Sequence, residues 1–274
     1  MLKNVLVVLE DNATALTPYA ISAAKRLEAR ITVVRPRRDN GGLSDGSLEA
    51  RLEAAAGNPE ARKTRAKESL EAFGAAAAEA GVDAELLLPD DWQDPRRDQL
   101  GLFARGFDFT IVGQVEPGRA PTRDDLTGQL LEESGRPVLV VPAIQRDPAA
   151  FKHVVVGWDG SAAAARAFGD ALAIFERADK VEIVSVTSAS TSHALIQGGE
   201  RLAARLVRGG VQGSFKRLPT DEDPANALLS FVADVGADLM VAGGYGHSRL
   251  REALFGGATR TFLSSMTLPL FLSR

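Results

Sequence analysis

The sequence predicts an α/β protein made of two tandem doubly wound domains, each with a five-stranded parallel sheet. Three observations carry this. Short apolar runs rich in β-branched residues alternate with helical segments, the pattern of strands buried on both faces. The same order of segments occurs twice along 274 residues. A short polar linker, IQRDPAAF at 144–151, separates a closing strand from an opening one. The domains are therefore placed at residues 1–145 and 150–274.

In the first half, VLVVL (5–9) reads as the opening strand. A helix over about 18–28 leads to ITVVR (31–35). A second helix spans about 59–80 and stops at Gly81, a residue suited to a helix C-terminus. AELLL (84–88) is the third strand, and a helix over about 95–105 leads to FTIVG (109–113). PVLVV (137–141) closes the unit.

The second half repeats the order. VVVGW (154–158) leads to a helix over about 162–177, and VEIVSV (181–186) to a helix over about 194–208. SFKRL (214–218) precedes a helix over about 224–235. LMVAG (239–243) and PLFLS (269–273) complete the set, with a helix carrying a glycine pair between them. Offsets support the repeat: Val154 minus Val5 is 149, Gly243 minus Gly113 is 130, and Pro269 minus Pro137 is 132. The register shift of about 19 residues falls on an insertion at 36–58, which is polar, glycine-rich and loop-like.

Composition narrows the function. With 32 basic and 36 acidic residues the net charge is −4, which argues against nucleic acid or an anionic membrane as the main partner. No run reaches the ~18 apolar residues of a membrane span. The start, MLKNVLVVLED, enters a strand pattern directly and does not read as a signal peptide. With no cysteine, disulfides, thiolate zinc sites and cysteine catalysis are excluded. Cytoplasm is the expected location.

Doubly wound sheets bind ligands at the carboxyl ends of their strands. There the second half carries GGYG, and Gly243, Gly246 and Gly256 form G-x2-G-x9-G. Glycine admits a phosphate close to backbone N–H groups and a helix N-terminus. A tight turn after a buried strand explains Gly243 and Gly246 as well, so both readings stay open. Gly256-Gly257 sits in a helical stretch or starts a helix. Arg249 and His247 can bond a phosphate or lie on a solvated loop. The first half has Glu116 in place of Gly246 and Glu10 in place of Asp159. A carboxylate about 4 Å from a phosphate costs about 4 kcal/mol at an effective dielectric of 20. That half is expected to be a structural partner domain. The charged helix ARKTRAKESLEAF reads as a solvated face with i,i+4 pairs. His153 and His193 read as surface or strand-edge residues.

On these residues the second half resembles the universal stress protein family along its whole length, from VVVGWDGS through DPANALLSFVADVGADLMVAGGYG to PLFLS. The first half is similar in layout, in NVLVVLED and in GRPVLVVPA. The resemblance implies a Rossmann-like fold of the adenine nucleotide alpha hydrolase type, two domains paired through their last strands as a pseudo-dimer, and ATP bound by some members. It assigns Asp159 to the ribose and base, Val186 to the adenine border, and Gly243, Gly246, Gly256 and Gly257 to the phosphates. Asp159 read alone is an Asx turn, Ser161 a helix N-cap and Val186 plain core. At Gly257 the family pattern has Ser or Thr, and Thr259 is the nearest hydroxyl.

The expected function is a stress-response regulator that holds ATP or another adenine nucleotide, with Mg²⁺ on the phosphates, and acts on a protein partner. No residue set points to rapid catalysis, and GGYGHSRL lacks a Walker lysine. Slow ATP hydrolysis or autophosphorylation is the most that is expected. The alternative is an interaction scaffold of the same fold without nucleotide. A homodimer of the two-domain unit is compatible with either.

Overall fold

The computed structural model describes residues 2–10, 15–36, 59–87, 99–115, 125–220, 222–244 and 257–274. The N-terminal half runs β1 (Asn4–Val8), α1 (Leu16–Leu27), β2 (Arg30–Val34), α2 (Pro59–Glu79), β3 (Ala84–Leu87), α3 (Leu100–Ala104), β4 (Phe109–Gly113), α4 (Leu126–Glu133) and β5 (Val138–Val141). The C-terminal half runs β6 (His153–Gly157), α5 (Ala162–Asp170), α6 (Leu172–Phe175), β7 (Lys180–Thr187), α7 (His193–Arg208), β8 (Gly213–Pro219), α8 (Pro224–Asp234), β9 (Leu239–Gly243), α9 (Gly257–Ser265) and β10 (Leu270–Ser273).

The ten strands form one sheet in the order β3-β2-β1-β4-β5-β10-β9-β6-β7-β8. Each half is parallel within itself, and the order in one half mirrors that in the other. The halves join where β5 meets β10 in antiparallel register, Val138 opposite Leu272, Leu139 opposite Phe271 and Val140 opposite Leu270. The expected pairing through the last strands is therefore present within one chain. It removes two edges that would otherwise expose unpaired backbone N–H and C=O groups.

Strand alternation sorts the core into two layers that both cross the seam. Val5, Val7, Phe109, Ile111, Leu139, Phe271, Val241 and Val154 share one face. Leu6, Val8, Val112, Val138, Val140, Leu270, Leu272 and Val155 share the other. The first layer is closed by α1, α2, α5 and α7, the second by α3, α4, α8 and α9. Phe109 and Phe271 meet across the seam with ring centroids 5.8 Å apart.

Outside the sheet, the ends of α1 and α6 are laced together reciprocally. Arg26 Nη2 donates to Arg177 O at 2.7 Å, and Arg177 Nε donates to Arg26 O at 2.9 Å. The linker is anchored too: Ala149 N–H donates to Ser22 Oγ at 2.7 Å, and Phe151 is fully buried.

Several expectations need correction. Helix α1 begins two residues earlier than expected, because Pro18 fits a first turn whose N–H groups lack intrahelical partners. The helix expected at 162–177 is two pieces broken at Ala171. Of the helix expected at 95–105, the described part is α3. Helix α4 was not anticipated; its short LTGQLLEE run follows a stretch dominated by prolines and acids. Of the glycine pair at 256–257, Gly257 is the first described residue of α9, and Gly256 lies outside the described residues. The insertion from 37 to 58 lies outside the described residues.

Helix α2 has the solvated face read from sequence, with Lys67 Nζ 3.9 Å from Glu71 Oε1 one turn away. Its other face buries Leu70, Phe73 and Ala77. His193 opens α7 and is exposed. His153 is half-buried, and its Nε2 lies 2.7 Å from Glu182 Oε1 at the amino end of the sheet. Burial opposes charge on Glu182, but its bonds to Lys180 and His153 outweigh that and hold its carboxyl below the ordinary value.

Candidate functional site

At the carboxyl ends of β6, β7 and β9 the chain turns three times toward one end of the C-terminal half. Strands β6 and β9 are neighbours at its centre, yet their following connections leave in different directions. Such a switch point opens a crevice at the strand ends.

The turn after β6 is firmly built. Trp158 N–H donates to Val184 O at 2.8 Å, Ser185 Oγ donates to Trp158 O at 2.8 Å, and Trp158 Nε1 donates to Leu195 O at 3.0 Å. Asp159 is exposed, and its Oδ1 accepts from Ser161 N–H at 2.9 Å, forming the Asx turn read from sequence. Gly160 takes φ +77°, which L side chains rarely adopt. Ser161 caps α5, its Oγ accepting from Ala164 N–H at 3.1 Å. The Asx turn and the helix cap read for Asp159 and Ser161 are thus both present, and Asp159 follows the carboxyl end of β6.

Val186 is half-buried near the end of β7, opposite Leu218 of β8, and packs against the second layer of the core. Gly243 has a structural reason to be glycine. A Cβ there would stand 2.6 Å from Ala164 N and 2.8 Å from Ala163 C, so the end of β9 runs against the first turn of α5. Gly244 N–H donates to Ser273 O at 2.7 Å, closing the edge of β10. Gly246, Arg249 and Gly256 lie outside the described residues, as does His247.

Gly257 opens α9 and is exposed, and among the described residues nothing lies within 4 Å of where its Cβ would stand. The first N–H groups of a helix have no intrahelical acceptor and carry the positive end of its dipole. Thr259, expected as the nearest substitute hydroxyl, is buried at 3% exposure.

The N-terminal half differs at this point. The offset of 132 that relates β5 to β10 sets Asp125 against Gly257, since 257 − 125 = 132. Asp125 precedes α4 and is buried at 5% exposure. A buried aspartate thus stands at the helix start where the other half has an exposed glycine. Sequence reading had passed over Asp125 because α4 was not foreseen. It also passed over Trp158 and Gln114, although Trp158 sits inside the quoted VVVGWDGS.

Residues 150–274 match the family model of the universal stress protein family. The C-terminal half belongs to the universal stress protein family. The whole chain is similar in structure to a universal stress protein from Archaeoglobus fulgidus, at 17% identity and TM-score 0.73, with 99% of this chain and 96% of that chain covered. It is also similar to a protein of unknown function from Pseudomonas aeruginosa, at 17% identity and TM-score 0.59, with 99% and 92% covered. A universal stress protein in complex with cAMP aligns with 46% of this chain and 98% of its own, at 20% identity and TM-score 0.37. At such identities the likeness of the full chain is one of fold. No curated protein matches the chain. Among the described residues there is no group of three or more His, Asp or Glu side chains that could hold a metal ion. No described helix is long and apolar enough to cross a membrane.

Proposed function

We propose that the C-terminal half binds ATP or another adenine nucleotide at the carboxyl ends of β6, β7 and β9, and that occupancy regulates contact with a protein partner in the cytoplasm. The observation that carries this reading is the exposed Gly257 in the first described turn of α9, with no described atom within 4 Å of where its Cβ would stand, at the same end of the half as the Asp159 turn. Phosphate oxygens fit free helix N–H groups without needing a cationic side chain. Asp159 and Val186 would face the ribose and base, Gly243, Gly246, Gly256 and Gly257 the phosphates, with Arg249 as a further phosphate partner. Mg²⁺ would be held mainly by the phosphates. The N-terminal half, with Asp125 at the matching helix start, would take no nucleotide.

Calorimetry of the full chain with ATP and AMP in Mg²⁺ tests the reading. One site per chain is expected, abolished by Gly246→Glu. Gly257→Ser adds a hydroxyl in open space and should tighten binding about ten-fold or more, as one hydrogen bond to a charged group is worth about 1.5–3 kcal/mol. Absence of binding at millimolar ATP would overturn the proposal.

One observation favours the second reading, a scaffold without nucleotide. Gly243 is accounted for by its approach to Ala163 and Ala164, with no ligand required. In that case Gly246→Glu would leave partner binding intact.

A further inference from the structure

The two halves finish the helix before their last strand in different ways. In the N-terminal half the support is local: the Ser134 N–H and Oγ both donate to Leu130 O near the end of α4. The corresponding residue of the C-terminal half is Met266, since 266 − 134 = 132, and its side chain has no N–H or O–H to donate. The next carbonyl along from the counterpart of Leu130 O, Leu263 O of α9, is reached from the other half. Gln114, just past the end of β4, donates to it from Nε2 at 3.0 Å in a buried contact. Gln114 is itself buried at 9% exposure.

Both ends of that amide are fixed. Gln114 Oε1 accepts from Ala143 N–H at 3.2 Å, and Gln114 N–H donates to Val141 O at 2.8 Å. A backbone carbonyl can only accept and a backbone N–H can only donate, so the two partners allow one orientation of the amide. The matching position in the C-terminal half is Gly244, since 244 − 114 = 130. Glycine has no side chain with which to return the contact, and Leu131 Cδ1 of α4 lies 3.5 Å from where its Cβ would stand. This buried amide-to-carbonyl contact therefore has no counterpart in the reverse direction; what the C-terminal half returns to α4 is an exposed ion pair, Arg274 Nη1 to Glu132 Oε1 at 2.8 Å.

Leu263 O belongs to the last four carbonyls of α9, which lack intrahelical donors. The described part of the same helix opens with Gly257. A helix of nine residues is a rod about 13 Å long, so fixing its far end fixes the direction of its start. We infer that Gln114 is a positioning residue through which the N-terminal half orients α9 and with it the phosphate end of the nucleotide site. This rests on the nucleotide reading above. The half that has lost its own glycine motif is then a support for its neighbour's site.

Hydrogen exchange read by mass spectrometry, together with Mg-ATP affinity, tests this in the full chain. Gln114→Glu keeps the acceptor for Ala143 N–H and removes the donor to Leu263 O; Gln114→Leu removes both and serves if the buried acid prevents folding. Exchange in α9 should rise about ten-fold with α4 unchanged, and nucleotide affinity should fall about three- to ten-fold, the scale of one buried hydrogen bond. Ser134→Ala should do the reverse, loosening α4 and sparing α9 and affinity. Unchanged α9 exchange, or equal acceleration of every helix, overturns the inference. So does a loosened α9 with unaltered affinity. If the wild-type chain binds no nucleotide, the functional proposal fails, and the exchange pattern alone decides whether Gln114 holds α9.

Discussion

The two halves share strand order and layer assignment, yet they differ at nearly every place where a ligand or a helix end is concerned. In the C-terminal half Ser161, Ser192 and Asp223 cap α5, α7 and α8 with their own side chains. In the N-terminal half α1, α3 and α4 have no such side-chain bond. Asp125 is buried at the start of α4, while Gly257 is exposed at the start of α9. The difference teaches that a repeated fold can be kept by its sheet alone. Burial of alternating strand residues conserves the architecture, and the strand ends are then free to diverge in function.

The sharpest way to break the comparison is at the shared seam. Phe271 is fully buried opposite Leu139 and touches Phe109 of the other half. Phe271→Ala should cost about 3–5 kcal/mol, the range for truncating a buried aromatic residue. Denaturant unfolding should show both halves losing stability together; loss confined to the C-terminal half would mean that they fold as independent units.

Gly243→Ala tests whether the strand-end glycine serves the fold before any ligand. Its methyl would meet backbone atoms of α5 at 2.6 and 2.8 Å, which cannot yield as a flexible side chain can. A loss of about 1–3 kcal/mol is expected without nucleotide present, as for other overpacked sites. An unchanged midpoint in thermal unfolding would return Gly243 to a purely ligand-driven role.

Tyr19 and Phe168 occupy matching places, since 168 − 19 = 149, but only Tyr19 carries a hydroxyl. The Tyr19 hydroxyl is buried and has no hydrogen-bond partner among the described residues, and burial, reinforced by Asp238, pushes its pKa well up. Tyr19→Phe removes this unmet donor and should stabilise the protein by about 1 kcal/mol. A clear loss of stability on chemical denaturation would mean that the hydroxyl is satisfied in solution.

The smallest effect concerns the aspartates that precede β4 and β9. Asp108 and Asp238 match, since 238 − 108 = 130, and each accepts a backbone N–H from the residue before the neighbouring strand, Lys3 at 2.6 Å and Lys152 at 2.8 Å. Burial raises the Asp238 carboxyl pKa, against the pull of the Lys152 and His153 backbone bonds and charges. A folded pKa above the unfolded one means that this group favours folding most at low pH and loses that contribution as pH rises through the raised value. Asp238→Asn should therefore be tolerated at neutral pH, and the wild type should gain on it as pH falls through the carboxylate range. A pH-independent difference between the two would remove burial as the cause.

Much of the fold was legible in the residues. VLVVL, FTIVG, LMVAG and PLFLS had to be buried strands because apolar β-branched runs of that length have few other stable settings. The offsets between halves exposed the repeat, and WDGS announced both an Asx turn and a helix cap. Helix α4 was hidden because its eight residues are few and its neighbours argue against a helix, so only packing on the sheet stabilises it. The reason for Gly243 was hidden for a related cause: a glycine after a strand looks the same whether it makes room for a phosphate or for α5.

By itself, then, the sequence determined what is local and periodic: strands, most helices, caps, and the likeness of the C-terminal half to its family. Only the tertiary structure decided what depends on residues far apart in the chain. It joined β5 to β10 into one sheet, set Asp125 where Gly257 would otherwise be matched, and carried Gln114 to a carbonyl 149 residues away. Periodicity records which face of an element is buried, but not which distant element buries it, because that choice is made by the packing of the whole chain.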